Sequence, residues 1–317
     1  MTRIRNVVGV IAGVCCAFNS ALAQNPAPAV RIERLSLGLN DPTCPGTSLS
    51  VGSAIALSRM NSADDLTLFA LTDRGPNADG PKVAGSDLDS KIFPCPKFVP
   101  SFVEVVLRDG TLTAGRRVEL SDASGPLNGL PPTSGPSTTD DEIALGPDLR
   151  PIVGDARGVD PEGIAISTDA PNDVWVSDEY GPALMRVDAR SGRVQERLRP
   201  GNELPAIFAQ RRANRGFEGL SVLPDGTLVV ALQSVFKRSD GEEYPAILLY
   251  RYNPKRKNGT VHAYRPAEPV GRLSKVKLGA VACVTEDLCA VIENGVGDGS
   301  DLSRLSTFSL RGARDLS

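Results

Sequence analysis

A phrase built around a single Glu recurs in this chain, as Asp160-Pro161-Glu162-Gly163-Ile164-Ala165-Ile166 and as Gly216-Phe217-Glu218-Gly219-Leu220-Ser221-Val222, with a looser copy at Asp141-Glu142-Ile143-Ala144-Leu145. A Glu followed by small and apolar residues, returning at intervals of tens of residues, marks one β unit repeated about an axis. Glu162 leads through a turn to Asp173-Val174-Trp175-Val176-Ser177-Asp178, and Glu218 leads through Pro224-Asp225-Gly226 to a strand ending on Gln233. Each reads as a β-hairpin whose turn carries Asn, Asp or Gly. Antiparallel pairing sets the start of one strand beside the end of the next, so Glu162 with Asp178, and Glu218 with Gln233, are expected on one rim. Two more hairpins are expected, one from Ser53 through Leu57 returning to Asp73, the other from Ala280 through Cys283 returning to Glu293. On this pattern Asp73, Asp178, Gln233 and Glu293 are equivalent.

The rest of the chain supports an all-β reading. Its 31 Gly and 25 Pro are spread between short β-rich runs rather than gathered in a linker, as in a sandwich, barrel or propeller. Only residues 202–213 look helical. Residues 77–100 and 121–141 read as long loops, which in a compact domain are usually functional or disordered. At roughly 45 to 50 residues per blade, the expected fold is a single β-propeller of about six four-stranded blades over residues 24–317.

The N-terminus reads as an export signal: Arg3 and Arg5 precede an apolar run over 7–18, and Ala21-Leu22-Ala23 supplies small residues for cleavage. Export to the periplasm or the medium follows, and no later stretch has the ~20 apolar residues of a membrane span. Four cysteines remain after residue 23. In an exported protein these suggest disulfides: Cys283 with Cys289 across a hairpin turn, leaving Cys44 with Cys95, the alternative being four buried thiols. Without Arg3 and Arg5 the 35 basic residues fall to 33 against 38 acidic ones, a formal charge of −5. Bulk attraction to nucleic acid is not expected.

A propeller gathers equivalent positions around its central channel, so one mouth would collect Asp73, Glu142, Glu162, Asp178, Glu218 and Glu293, with Glu179 adjacent. Two carboxylates ~4 Å apart repel by about 4 kcal/mol at an effective dielectric of ~20, so such a group needs protons, arginines or a metal. Arg74 and Arg215 supply part of that balance. The remainder suits Ca²⁺, which takes six to eight oxygen ligands. Zinc and histidine-based catalysis are disfavoured, because the one histidine, His262, sits in an ordinary strand, Val261-His262-Ala263-Tyr264.

Four ordered motifs, Leu71-Thr72-Asp73-Arg74-Gly75-Pro76-Asn77, Gly158-Val159-Asp160-Pro161-Glu162-Gly163, Val176-Ser177-Asp178-Glu179-Tyr180-Gly181-Pro182 and Asn214-Arg215-Gly216-Phe217-Glu218-Gly219-Leu220, resemble the phytase-like family, described as having esterase-like activity of phytase. The resemblance spans roughly residues 48–293. It implies a β-propeller and hydrolysis of phosphate esters, with a small-molecule phosphate ester or another anionic substrate as the expected partner. Motifs of the better-known Ca²⁺-dependent propeller phytases are not visible, and Glu293-Asn294-Gly295 stands where the family pattern has Glu-Arg-Asp. The expected mechanism has Ca²⁺ held by Glu162, Asp178 and Glu218, with Glu142 and Glu293 as further candidate ligands. Arg74 and Arg215 clamp the phosphate, and Asp73 or Glu179 takes a proton from water. Two other readings stand beside it. A Ca²⁺-dependent lactonase needs no anion clamp, and a non-catalytic binding propeller uses the same carboxylates to cap backbone N–H groups or hold blades together. Trp175 and Tyr180 read as packing residues, 297–301 as a turn. Oligomeric state is left open.

Overall fold

The computed structural model describes residues 37–132, 142–238, 240–266, 272–296 and 303–317. The export signal and the turn at 297–301 lie outside them, as do 133–141 of the second long loop. The first sheet starts with β1 (Ala54–Ser62) and β2 (Asp65–Leu71). The chain then leaves it through β3 (Ala78–Asp79) and β4 (Asp89–Ile92) and returns as β5 (Ser101–Arg108) and β6 (Thr111–Glu119), in the order β1-β2-β5-β6. A small ribbon follows, β7 (Ser121–Asp122) with β8 (Gly125–Pro126), and then β9 (Glu142–Leu145) pairs in parallel with β4.

Two meanders come next, each in sequence order. The second sheet is β10 (Pro161–Ile166), β11 (Asp173–Asp178), β12 (Ala183–Asp188) and β13 (Val194–Leu198). The third is β14 (Phe217–Val222), β15 (Leu228–Leu232), β16 (Ile247–Asn253) and β17 (Asn258–Tyr264). A three-stranded fourth sheet holds β18 (Lys277–Thr285), β19 (Leu288–Asn294) and β20 (Ser303–Phe308). Helical structure among the described residues is confined to 3₁₀ turns at Ala206–Gln210 and Leu273–Lys275, so the helix expected over 202–213 shrinks to one short segment.

The first strands form the inner row: β10 lies against β1, β14 against β10, and β18 against β14. Apolar residues of neighbouring sheets fill the spaces between them. Leu71, Phe102, Ile164, Val174 and Val176 join the first sheet to the second, while Trp175, Leu220, Val230, Leu278 and Val291 run through the other three. β11 and β15 are buried along their whole length, as strands covered on both faces must be. A third cluster, with Leu49, Leu68, Phe98 and Val105, covers the first sheet beneath residues 37–51. Both expected disulfides are present, Cys44 to Cys95 with Cα atoms 5.5 Å apart and Cys283 to Cys289 at 4.0 Å.

Four such sheets occur among the described residues, three of four strands and one of three. Dividing the chain length by a blade period assigns every residue to a blade; among the described residues, much of 77–100, 121–132 and 142–160 goes to the small sheets and loops. The looser copy of the phrase likewise starts no hairpin: β9 is a four-residue strand held by β4.

Candidate metal and anion site

Each full copy of the repeated phrase places its Glu in a β-bulge. Pro161 pairs with Asp178 and Gly163 with Ser177, so Glu162 has no opposite residue. Phe217 pairs with Leu232 and Leu220 with Val230, so Glu218 and Gly219 are left over. Bulges re-aim side chains and bend the strand. They tip both carboxylates to the same end of the inner row.

The glycine after each Glu explains why the phrase repeats. A Cβ on Gly163 would stand 2.7 Å from the Glu218 carbonyl oxygen and 2.7 Å from Leu220 Cβ, and one on Gly219 would stand 2.3 Å from the Val281 backbone nitrogen. Only glycine lets the next inner strand approach this closely. Two hydroxyls stitch the same junctions: Ser177 Oγ donates to the Glu218 carbonyl at 2.6 Å, and Ser221 Oγ accepts from the Cys283 N–H at 2.8 Å.

The register also corrects the set of equivalent rim positions. Glu179 N–H donates to the Asp160 carbonyl at 2.8 Å and Gln233 N–H to the Gly216 carbonyl at 2.9 Å. Glu179 and Gln233 therefore match, and Asp178 matches Leu232. A one-residue slip turns a side chain to the other face. Asp178, wholly buried, accordingly faces Arg197 of β13 at 2.7 Å and accepts from the Asp160 and Tyr180 N–H groups at 3.0 and 3.2 Å. Glu293 behaves like Asp178: wholly buried, it is bonded by Arg304 at 2.6 Å, by Ser306 at 3.0 Å and by the Tyr264 hydroxyl.

Asp160, Glu162 and Glu179 do converge, with one carboxylate oxygen of each lying within 4.8 Å of the others. Asp160 was not among the candidate residues, although it stands in the repeated phrase two places before Glu162. Ser53 Oγ donates to Glu162, and Gln233 Nε2 donates to Glu218 at 2.9 Å. Burial raises all four carboxyls. It carries Asp160 and Glu218 to about 7 and holds Glu162 and Glu179 well above the usual range, where mutual repulsion adds to it. Asp73 is also raised by burial, and its Oδ1 accepts from the Gly75 N–H at 2.7 Å.

Arg74 is the internal counter-charge. Its guanidinium meets Glu142 at 2.7 Å, the Tyr180 hydroxyl at 2.8 Å and Asp160 at 3.4 Å, and its backbone N–H donates to Asp160 at 3.0 Å. Burial works against its charge, but Asp160, Tyr180 and Glu142 outweigh that and hold it protonated. Glu142 thus belongs to the arginine rather than to the acidic group. Arg215 differs: it is bonded to Gln233 and, among the described residues, has no carboxylate within ion-pair distance. It also lines a cavity of about 420 Å³ with Lys82, Lys91, Asn214 and Glu142.

The donor set fits a hard cation. Asp160, Glu162 and Glu179 offer oxygen only, and Glu179 Oε1 is buried without a hydrogen-bond partner. A buried acceptor with nothing to accept is costly unless a cation or proton meets it.

An all-β chain of stacked meanders with buried acids at one end of its inner row defines the class. The chain belongs to the phytase-like family, described as esterase-like activity of phytase, whose pattern it matches over residues 52–317. It is also 32% identical over 110 residues to an uncharacterized secreted protein of Arthroderma benhamiae, a match covering 26% of this chain and only 21% of that relative's length. Among solved structures it is similar to MPT-1, a GDP-Man-dependent mannosyltransferase from Leishmania mexicana, at 10% identity and a TM-score of 0.36, over 82% of this chain and 70% of that one. A protein from Lactobacillus plantarum gives 14% identity and a TM-score of 0.35, over 80% and 70%. Likeness of that size carries no argument about fold or function.

Proposed function

We propose that this chain is an exported propeller-type hydrolase of small phosphate esters that works with Ca²⁺. Asp160, Glu162 and Glu179 would hold the ion, and the observation that carries this reading is the buried, unpartnered Glu179 Oε1 among three converging carboxylates. Bound there, calcium would supply Lewis-acid polarisation of the ester and a more acidic water. The chain's own residues do the rest. Arg215 meets the phosphate, since a guanidinium matches its oxygens bidentately. Glu218, at about 7 and steadied by Gln233, is poised to take a proton near neutral pH. Arg74 fixes Asp160 from behind rather than clamping substrate, and Asp178 and Glu293 tie middle strands to outer arginines.

One observation favours a second reading. With Arg74 spent on Glu142, Asp160 and Tyr180, Arg215 is left, of the two arginines expected to clamp phosphate, to act on the substrate. A Ca²⁺-dependent lactonase would need no more than that. Calorimetry on chelator-stripped protein, beside a Glu162→Gln, Glu179→Gln double variant, tests the metal. Micromolar binding that the double variant loses is expected, and equal behaviour of the two proteins overturns the reading. A screen of phosphate monoesters against lactones, repeated with Arg215→Ala, then separates the hydrolases.

A further inference from the structure

The cation side of this mouth extends beyond Arg215. In the fourth sheet Lys277 pairs with Asn294, one step outside the Leu278 to Glu293 pair that precedes the bulge of β18. That is the position Asp160 holds in the second sheet, one step outside Pro161 and Asp178. Leu278 N–H donates to the Gln233 carbonyl at 2.7 Å, so Lys277 is set beside the residue whose amide joins Arg215 to Glu218. Where the second sheet brings a carboxylate to the mouth, the fourth brings an ammonium.

We propose that Lys277, Arg215 and Lys91 form a subsite for one phosphate group at the opening of the cavity beside the acidic residues. Arg215 and Lys91 share the cavity wall, and Lys277 is set beside Gln233, the partner of Arg215. Like charges gathered at one opening repel, and an anion between them turns repulsion into charge-assisted hydrogen bonds. Among the described residues neither Arg215 nor Lys277 has a carboxylate at ion-pair distance, while Lys91 is held only by the exposed Asp79. Desolvation, and then the positive charge of Arg215, lower the Lys277 ammonium from its ordinary range, with Lys91 adding to the effect and Glu179 and Glu218 opposing it. Asn214 points to a ligand independently. It lines the cavity in left-handed backbone (φ 47°), and its buried Oδ1 has no partner, an acceptor suited to a ligand hydroxyl. The lining is otherwise Gly80, Ser90, Ala213 and charged side chains, with Asp79, Asp89 and Glu142 already paired to Lys91, Lys82 and Arg74, and it has no aromatic ring. A phosphate carried on a polar, hydroxylated body suits such walls.

The subsite rests on the reading above only for the group an ester would present, and its test needs neither metal nor turnover. Calorimetric titration of chelator-treated full-length protein with inorganic phosphate, and separately with glycerol 2-phosphate, is expected to show binding. Lys277→Gln and Lys91→Gln should each weaken it by about tenfold, as loss of one charge-assisted contact does, while Lys255→Gln, at a residue whose ammonium pairs with Asp169 outside the cavity lining, leaves it unchanged. Tighter binding of the ester assigns the cavity to the ester's body, and equal binding assigns the subsite to free phosphate; both support it. Phosphate binding that ignores Lys277 and Lys91, or no binding at all, overturns it. Calcium affinity should persist in Lys277→Gln, so loss of the subsite and loss of the metal reading give different results.

Discussion

Arg74 shows how a buried cation can be structural in a site that also needs free ones. Both it and its partners Glu142 and Asp160 are nearly inaccessible, at 7%, 7% and 3% side-chain exposure. Removing one member of such a set strands the others, so Arg74→Met should cost about 3 to 5 kcal/mol in denaturant unfolding. Tyr180→Phe, which removes only the hydroxyl between Arg74 and the Gly129 carbonyl, should cost about 1 to 2 kcal/mol. Equal losses in the two variants would mean that the arginine's charge is not what the network neutralises. At this scale the sequence was legible in residue type and misleading in register. Asp178 and Glu179 are adjacent, so pattern alone placed either on the rim. What decides between them is which backbone amide of the pair bonds to residue 160, and no composition or spacing carries that.

At the scale of elements, the inner strands are held by what glycine leaves out. Gly219→Ala would press a methyl against the Val281 nitrogen at 2.3 Å and the Gly279 carbonyl at 2.4 Å, backbone atoms that can yield only if β14 and β18 part. A loss of about 1 to 3 kcal/mol is expected. Gly279→Ala on the facing strand meets nothing nearer than 3.5 Å and should change unfolding little, so similar effects at the two sites would refute the close-approach account. The phrase was readable because glutamate and glycine do different jobs at one bulge, and the fourth sheet escaped it because Gly279-Ala280 keeps the bulge without the acid. The edge of the third sheet carries another device. The C-terminal residues dock on β17, with Leu316 N–H donating to the Val261 carbonyl at 2.8 Å and Asp315 accepting from the Val261 N–H at 3.1 Å. Beneath them His262, 4% exposed, contacts the Arg314 carbonyl at 3.0 Å and Thr260 at 2.8 Å. Burial lowers this imidazole, helped by Arg251 and opposed by the Arg314 carbonyl, Asp315 and Glu286. A histidine depressed in the folded state costs nothing above its unfolded value of ~6.5 and destabilises as pH falls below it. The protection factor of the Leu316 amide, its exchange rate compared with the intrinsic rate at the same pH, should therefore fall from pH 7.5 to 5.5 in the parent and stay level in His262→Gln.

Over the whole molecule, the length of the chain suggested six units because a period divides any length. Among the described residues the fold also spends length on the parallel pair β4 and β9 and on the cavity wall, features with no repeat to reveal them. What the fold does gather is charge, and this sets a linkage between pH, metal and stability. Asp160 and Glu218 rise to about 7 on folding from ordinary values of 3.8 and 4.5. Groups raised in this way favour the folded state fully at pH below their unfolded values, and that contribution is lost as pH climbs through about 7. Chelator-stripped protein should accordingly melt at progressively lower temperature from pH 5 to pH 8. A cation that binds the ionised carboxylates reverses the trend: calcium at about a hundred times its Kd adds ~2.7 kcal/mol at pH 8, and much less at pH 5, where protons already occupy the site. The Glu162→Gln, Glu179→Gln variant sharpens the test. If the acidic group is held together against its own repulsion, the amides relieve that tension, and the stripped variant should outlast the stripped parent at pH 8 while gaining nothing from calcium. A stripped parent whose melting temperature is level across this range, or a variant less stable than it, would mean the carboxylates are balanced within the chain and the ion has no place to fill.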